Sequence, residues 1–149
     1  MKRFLATVVA VTTALALTAC GSSSTNTTTD DKSAESTDDT TYKIGVLQLT
    51  QHAALDKANE GFIAALDESG IKYEVDQQNA SGEQSACQTI AEKLVNDGND
   101  LIYAIATPAA QAVAGVTSEI PIVLSAVTDP AESGLVASND APGGNVTGT

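Results

Sequence analysis

Residues 101–126 read LIYAIATPAAQAVAGVTSEIPIVLSA, and this stretch decides the fold class. The apolar run 101–106 (LIYAIA) has the length and composition of a buried β-strand. Thr107-Pro108 follows it as a helix cap with proline at the first helical position. A second strand-length apolar run, 121–126, comes after the helix. Strand, helix and strand in this order predict a right-handed crossover between two parallel strands.

The same alternation extends back to Tyr42. The run Tyr42–Leu49 is mostly apolar and predicts a strand inside a sheet that is covered on both faces. Apolar residues at helical spacing follow it as far as Gly70, a typical helix terminator. Alternating residues from Ile71 predict a strand nearer the sheet edge, and Ser81-Gly82-Glu83-Gln84 matches a capping box that opens a helix ending at Gly98. The order β-α-β-α-β-α-β predicts an α/β fold with a doubly wound parallel sheet.

Ligands of such sheets bind beyond the carboxyl ends of the strands. This rule selects four loops that are rich in small polar residues: Thr50–Ala54, Gln78–Gly82, Ala106–Ala109 and Ser125–Pro130. Two of these loops are predicted to open helices, at Ser81 and Thr107, where free backbone amides favour an anion. Any doubly wound fold needs caps at these places. The loops together therefore predict only a rim suited to a small anion or zwitterion.

The charge balance excludes nucleic acid as a partner and limits how an anionic ligand could be held. The formal net charge of the 149 residues is −12, whereas nucleic-acid binding needs a basic face. Between Tyr42 and Thr149 there are 14 Asp and Glu residues, four lysines and no arginine. A ligand carboxylate or phosphate therefore cannot be held by a guanidinium from this region, and backbone amides would have to replace it.

Signatures of catalysis and of cofactors are largely missing. His52 is the single histidine, so a zinc site with two imidazoles is excluded, and no phosphate-binding glycine motif occurs. Asp56 lies one helical turn after His52 and could orient its ring. Asp129-Pro130 is interpreted as a turn or a helix start and not as a catalytic pair, and the glycine-rich Pro142–Gly148 as a turn. Cys87 is interpreted as a buried small apolar residue. We therefore predict no cofactor and no metal.

The amino terminus predicts export and a lipid anchor. Residues 1–19 contain Lys2 and Arg3 followed by an uncharged apolar run that is too short to span a bilayer, as in a signal peptide. Leu17-Thr18-Ala19-Cys20 resembles the lipobox of bacterial lipoproteins, with Cys20 as the lipidated residue. The segment 20–41 is rich in Ser and Thr and is predicted to be a disordered tether. This predicts a protein held on the outer face of the cell membrane by its lipid.

Several blocks in the folded region resemble one family, the tryptophan/tyrosine-type substrate-binding lipoproteins of ABC transporters. The blocks are IGVLQLTQHAALDKANEGF (44–62), NASGEQS (79–85), AIATPAAQA (104–112), IPIVLSAVTDP (120–130) and PGGNVTGT (142–149). The resemblance implies a two-lobed, periplasmic-binding-protein-like clamshell that delivers a small solute to a membrane permease and its ATPase. In some members the solute is an aromatic amino acid.

The resemblance also implies which residues bind the solute. They are Thr50, Gln51, His52, Asn79, Thr107, Pro108, Ser125, Ala126, Val127, Thr128 and Asp129. We expect Thr107 and Ser125 to contact a ligand carboxylate and Asp129 to pair with an ammonium group. Residues 42–149 would then be the amino-terminal lobe, and a second lobe of similar size would be missing from this sequence.

Two other functions remain open at this stage. A ligand-binding module of a sensory system would use the same lobe and would differ only in its membrane partner. An exported α/β hydrolase is the third hypothesis, and it predicts that His52→Ala abolishes a turnover activity.

Overall fold

A computed structural model describes residues 40–148. These residues form five strands and three helices. The first seven elements alternate between strand and helix as the apolar runs and helical spacings predict, whereas a fifth strand, which these patterns do not predict, follows the fourth without a helix between them. The elements are β1 Thr41–Gln48, α1 Ala53–Ser69, β2 Lys72–Asn79, α2 Gln84–Asn96, β3 Leu101–Ile105, α3 Thr107–Val116, β4 Ile122–Ser125 and β5 Val146–Gly148.

The five strands form one parallel sheet in the order β2-β1-β3-β4-β5. The predicted α/β fold with a doubly wound parallel sheet is confirmed. β1 lies inside the sheet and is buried from Ile44 to Gln48, whereas β2 is an edge strand, as its alternation predicted. Reversal of the strand order between β1 and β3 creates the crevice at which parallel sheets bind ligands.

The two faces of the sheet are covered unequally. On one face α2 and α3 pack through small side chains, and Cys87, Ala91, Ala109 and Ala110 are completely buried. The prediction that Cys87 is a buried apolar residue is confirmed, and burial raises the pKa of its thiol. On the other face α1 has no buried residue and packs mainly through half-buried apolar side chains. The core therefore lies chiefly between the sheet and the α2–α3 pair.

Two predicted helix starts are wrong in detail. The capping box at Ser81 does not form, because the side chain of Asn79 accepts the Ser81 amide at 2.8 Å and places residues 81–82 in a turn. α2 begins only at Gln84, and its preceding residue Glu83 makes no side-chain cap. Thr107 is the first residue of α3 and not its cap, a position that Ala106 occupies.

The glycine-rich Pro142–Gly148 segment is only partly a turn. Its last three residues form β5, which pairs with β4 from Ile122 to Leu124. The side chain of Asn145 holds the approach to β5 by donating to the carbonyl of Ile120 at 2.8 Å. The turn prediction is therefore wrong for residues 146–148, because a three-residue strand is too short to show a pattern of its own.

The predictions for the amino terminus lie mostly outside the described residues. These are the signal peptide (1–19), Cys20 and all of the tether (20–41) except its last two residues. Thr41 is the first residue of β1 and pairs with Lys72, so the tether prediction extends one residue too far. Between residues 40 and 148, no helix has both the length and the apolar character needed to cross a membrane.

Candidate functional site

The carboxyl ends of four strands lie level with one another. Gln48 at the end of β1 is paired on one side with Asn79 of β2 and on the other with Ile105 of β3. Ile105 is in turn paired with Ser125, the last residue of β4. The four candidate loops therefore leave the sheet from one row of residues, which we call the strand-end row: Asn79, Gln48, Ile105 and Ser125.

Backbone hydrogen bonds continue past this row and join the loops. The Leu49 amide donates to the Ile105 carbonyl at 3.2 Å, and the Ala106 amide donates to the Ser125 carbonyl at 3.0 Å. The Gly82 amide donates to the Leu49 carbonyl at 2.8 Å, which ties the loop after β2 to the loop after β1. The loops thus have fixed starting points at the carboxyl ends of the strands.

Between the first two loops lies an open depression of about 420 Å³, lined by Thr50, Gln51, Asn79 and Ser81. Gln51 and Asn79 also line a neighbouring depression of about 210 Å³ between α1 and the ends of β1 and β2. A third, of about 330 Å³, lies between the first turns of α2 and α3 and includes Pro108. Four predicted site residues thus line these depressions: Thr50, Gln51, Asn79 and Pro108. His52, the cap of α1, is exposed but lines none of the three.

His52 acts as the cap of α1. Its Nδ1 accepts the Ala54 amide at 3.3 Å, and its carbonyl accepts the Asp56 amide at 2.8 Å. The Asp56 carboxylate instead accepts the side-chain amide of Gln48 at 2.6 Å. The His52–Asp56 orienting pair is therefore not formed, because Nδ1 is committed to the cap and the carboxylate to Gln48. The ring remains exposed at the rim.

The loop after β3 contains the most unusual backbone of the site. Ala106 has φ 83° and ψ 153°, a combination that is essentially confined to glycine. This turn directs the chain straight from β3 into α3, so that Thr107 and Pro108 start the helix at the strand-end row. The first turn of a helix presents backbone amides that have no partner within the helix. In the absence of arginine between residues 42 and 149, such amides suit an anion.

The loop after β4 is held by Asp129. Ser125 is half-buried, Ala126 has φ 55°, and Val127 and Thr128 lead to Asp129. One carboxylate oxygen of Asp129, Oδ1, accepts the amides of Ala131 and Glu132 at 3.1 Å and the side chain of Asn139 at 3.3 Å. These donors, the Glu132 amide first, hold the pKa of Asp129 below its ordinary value. The predicted turn at Asp129-Pro130 is thus present, and an ammonium group would have to use the other oxygen, Oδ2.

No group of three or more potential metal-ligating side chains occurs within residues 40–148. Lys43 and Lys72 lie toward the amino-terminal ends of β1 and β2, opposite the strand-end row. Lys57 pairs with Glu60 on the surface of α1, and Lys93 pairs with Asp76 and Asp97. Within the described region, the site therefore offers hydroxyls, side-chain amides, backbone amides, the imidazole of His52 and the carboxylate of Asp129.

Residues 43–149 match the sequence family described as ABC transporter substrate binding protein. This chain belongs to that family. Its proteins bind solutes and are not enzymes, so the hydrolase hypothesis is wrong. The resemblance inferred from the sequence blocks is confirmed.

Individual relatives support the same assignment. A tyrosine-binding protein of Clostridioides difficile (strain R20291) is 53% identical over 110 residues, which cover 71% of this chain and 32% of that protein. The chain thus spans about a third of the length of this curated relative. A substrate-binding protein with adhesive properties from Clostridium difficile, in its ligand-free open form, superposes with a TM-score of 0.70 at 45% identity and covers 72% of this chain and 38% of that one. An ABC domain from Streptococcus pneumoniae in complex with L-Trp superposes with a TM-score of 0.71 at 43% identity and covers 74% of this chain and 38% of that one.

Proposed function

We propose that this chain is the amino-terminal lobe of a lipid-anchored solute receptor of an ABC importer. The receptor stands on the extracytoplasmic face of the cell membrane and delivers its solute to a permease and its ATPase. The solute is a small molecule, an amino acid with an aromatic side chain. The observation that carries this proposal is the strand-end row, from which all four loops with predicted binding residues start.

The chemistry of the rim suits a zwitterion. The hydroxyls of Thr107 and Ser125, together with the amides that start α3, would bind the ligand carboxylate. Asp129, through Oδ2, would pair with the ammonium group. Side-chain amides of Gln51 and Asn79 and the ring of His52 would contact the remainder of the solute from the opposite side of the crevice. The names of the relatives, which refer to tyrosine and L-Trp, support an aromatic amino acid.

Ligand binding is tested on the full-length product of the gene by thermal unfolding with L-tryptophan, L-tyrosine, L-leucine and L-alanine. A ligand at one hundred times its Kd stabilises the native state by about 2.7 kcal/mol. We expect the two aromatic amino acids to raise Tm most. Thr107→Val should weaken this effect, whereas Thr89→Val should not, because the Thr89 hydroxyl bonds only within α2. Equal melting temperatures across the panel would reject the amino acid assignment.

The anchor and the transport role need separate tests. Cys20→Ser should move the protein from the membrane fraction to the soluble exported fraction, because the thiol that would be acylated is lost. Deletion of the gene should lower the uptake of radiolabelled tyrosine or tryptophan. Unchanged uptake, with binding intact, would favour the sensory module over the transport receptor.

A further inference from the structure

Gln48 is the one polar residue of the strand-end row whose side chain is almost completely buried. Its exposed fraction is 4%, and Asn99 at 7% is the only other buried polar residue of the described region. Burial of an amide side chain is unfavourable unless its hydrogen-bonding groups find partners. The partners of Gln48 therefore indicate what the residue contributes.

The amide nitrogen of Gln48 holds both sides of the first loop. Nε2 donates to the carbonyl of Thr50 at 2.8 Å and to the carboxylate of Asp56 at 2.6 Å. Thr50 precedes Gln51 and His52, and Asp56 lies in the first turn of α1 that His52 caps. A single buried group thus joins the residue before the two exposed ones to the first turn of the helix that follows them.

The oxygen of Gln48 connects the same point to β2. Oε1 accepts from Nδ2 of Asn59 at 3.4 Å, and that nitrogen also donates to Oε1 of Gln77 at 2.9 Å. These residues line the 210 Å³ depression together with Gln51 and Asn79, which also border the larger depression. The network therefore lies beside the loop Thr50–His52, at the base of the smaller depression.

We infer that Gln48 is a positioning residue for solute binding, which holds the loop Thr50–His52 in its binding conformation through the Thr50 carbonyl and Asp56. This inference rests on the proposed function, because the loop matters only if it contacts the solute. The role assigned to Gln48 is to hold the loop and not to recognise the solute. Its effect on affinity comes from keeping Gln51 and His52 in place before binding, which lowers the ordering cost of the complex.

The test compares Gln48→Met with Asn99→Ala in the full-length gene product. Methionine keeps the length and apolar packing of glutamine but donates to neither Thr50 nor Asp56. Asn99→Ala also removes a buried amide, which donates to the Leu94 carbonyl at 2.7 Å. Asn99 precedes β3, however, and so lies at the opposite end of the strands from the strand-end row. Both variants should lower Tm, because Asn99→Ala leaves the buried Leu94 carbonyl without its donor and Gln48→Met does the same to the partly buried Thr50 carbonyl.

Calorimetric titration with L-tyrosine and L-tryptophan separates positioning from stability. We expect Gln48→Met to raise Kd by about tenfold or more and Asn99→Ala to change it by less than about twofold. Hydrogen exchange of the ligand-free protein should be faster at residues 49–54 in Gln48→Met only. Equal Kd values for Gln48→Met and the wild-type protein, or equal losses in both variants, would overturn the inference.

The two proposals fail in different ways. A wild-type protein that binds neither amino acid contradicts the proposed function. Hydrogen exchange at residues 49–54 still tests the positioning role in that case, and an unchanged rate in Gln48→Met overturns it.

Discussion

Ala106 illustrates how one residue is forced out of its preferred conformation by its neighbours. It is buried, its amide is held by the Ser125 carbonyl, and its own carbonyl accepts the Ala110 amide of α3 at 3.1 Å. These two bonds fix its position between β3 and the helix. Its backbone therefore keeps an unfavourable conformation, with φ 83° and ψ 153°. The residue lies where the first amides of α3 follow the strand-end row.

Ala106→Gly should therefore be unusually well tolerated. Relief of the backbone strain is worth about 1–3 kcal/mol. Glycine costs about 0.5–1 kcal/mol of backbone entropy, and loss of the buried methyl group costs about 0.8 kcal/mol. The net change in the free energy of unfolding, measured by urea unfolding, should therefore lie between a loss of about 0.8 and a gain of about 1.7 kcal/mol. Ala104→Gly, at a completely buried position inside β3, should lower the free energy of unfolding by about 1.5 kcal/mol. Similar losses in both variants would show that the backbone of Ala106 is not strained.

Elements that follow local rules could be predicted from the sequence. Gly70, for example, ends α1 in the left-handed conformation expected of a terminator. Features that depend on distant contacts could not. The turn at Ser81 depends on Asn79, and β5 exists because it pairs with β4.

The same limit applies to the candidate site. The positions of its four loops followed from the strand order, whereas the buried network of Gln48 depends on the packing of α1 against β1 and β2. The polar Gln48 within an apolar run was the available signal.

The pairing of β5 with β4 has a testable steric requirement. A Cβ atom on Gly148 would lie 2.4 Å from the carbonyl oxygen of Leu124, which is backbone and cannot move aside freely. Gly148→Ala should therefore lower the free energy of unfolding by about 1–3 kcal/mol. Gly61→Ala on α1 is the matched control, because a methyl group there meets nothing within 4 Å.

The control should have the opposite sign. Alanine in an exposed helix is more favourable than glycine by about 0.8–1.0 kcal/mol, and α1 has no buried residue that would override this preference. Urea unfolding of the two variants beside the wild-type chain checks both values. A Gly148→Ala protein as stable as the wild type would mean that β5 does not pair with β4 as described.

The whole molecule carries far more negative than positive charge. With a formal net charge of −12 and a pI near 4.1, its acidic groups repel one another in the compact state more than in the unfolded chain. Lysine and arginine cannot balance them, since 19 Asp and Glu residues stand against seven Lys and Arg. Such repulsion between exposed charges is weakened by salt.

Salt should therefore stabilise the protein. Raising NaCl from about 10 mM to about 150 mM shortens the screening length from about 30 Å to about 8 Å, and we expect Tm to rise. Potassium chloride at the same ionic strength should give the same rise if screening is the cause. A Tm that falls with salt, or that responds to one cation alone, would contradict this explanation. Differential scanning calorimetry of the full chain makes the measurement.

The level strand-end row has a consequence for how such a receptor changes over evolution. Since each loop departs from a backbone position fixed by its own strand pairing, an insertion or substitution in one loop does not displace the starting points of the other three. Loops are also the segments that tolerate sequence change best. If the proposed function holds, selectivity can accordingly be altered one loop at a time, and a lineage can acquire a new solute while the sheet beneath the loops stays unchanged.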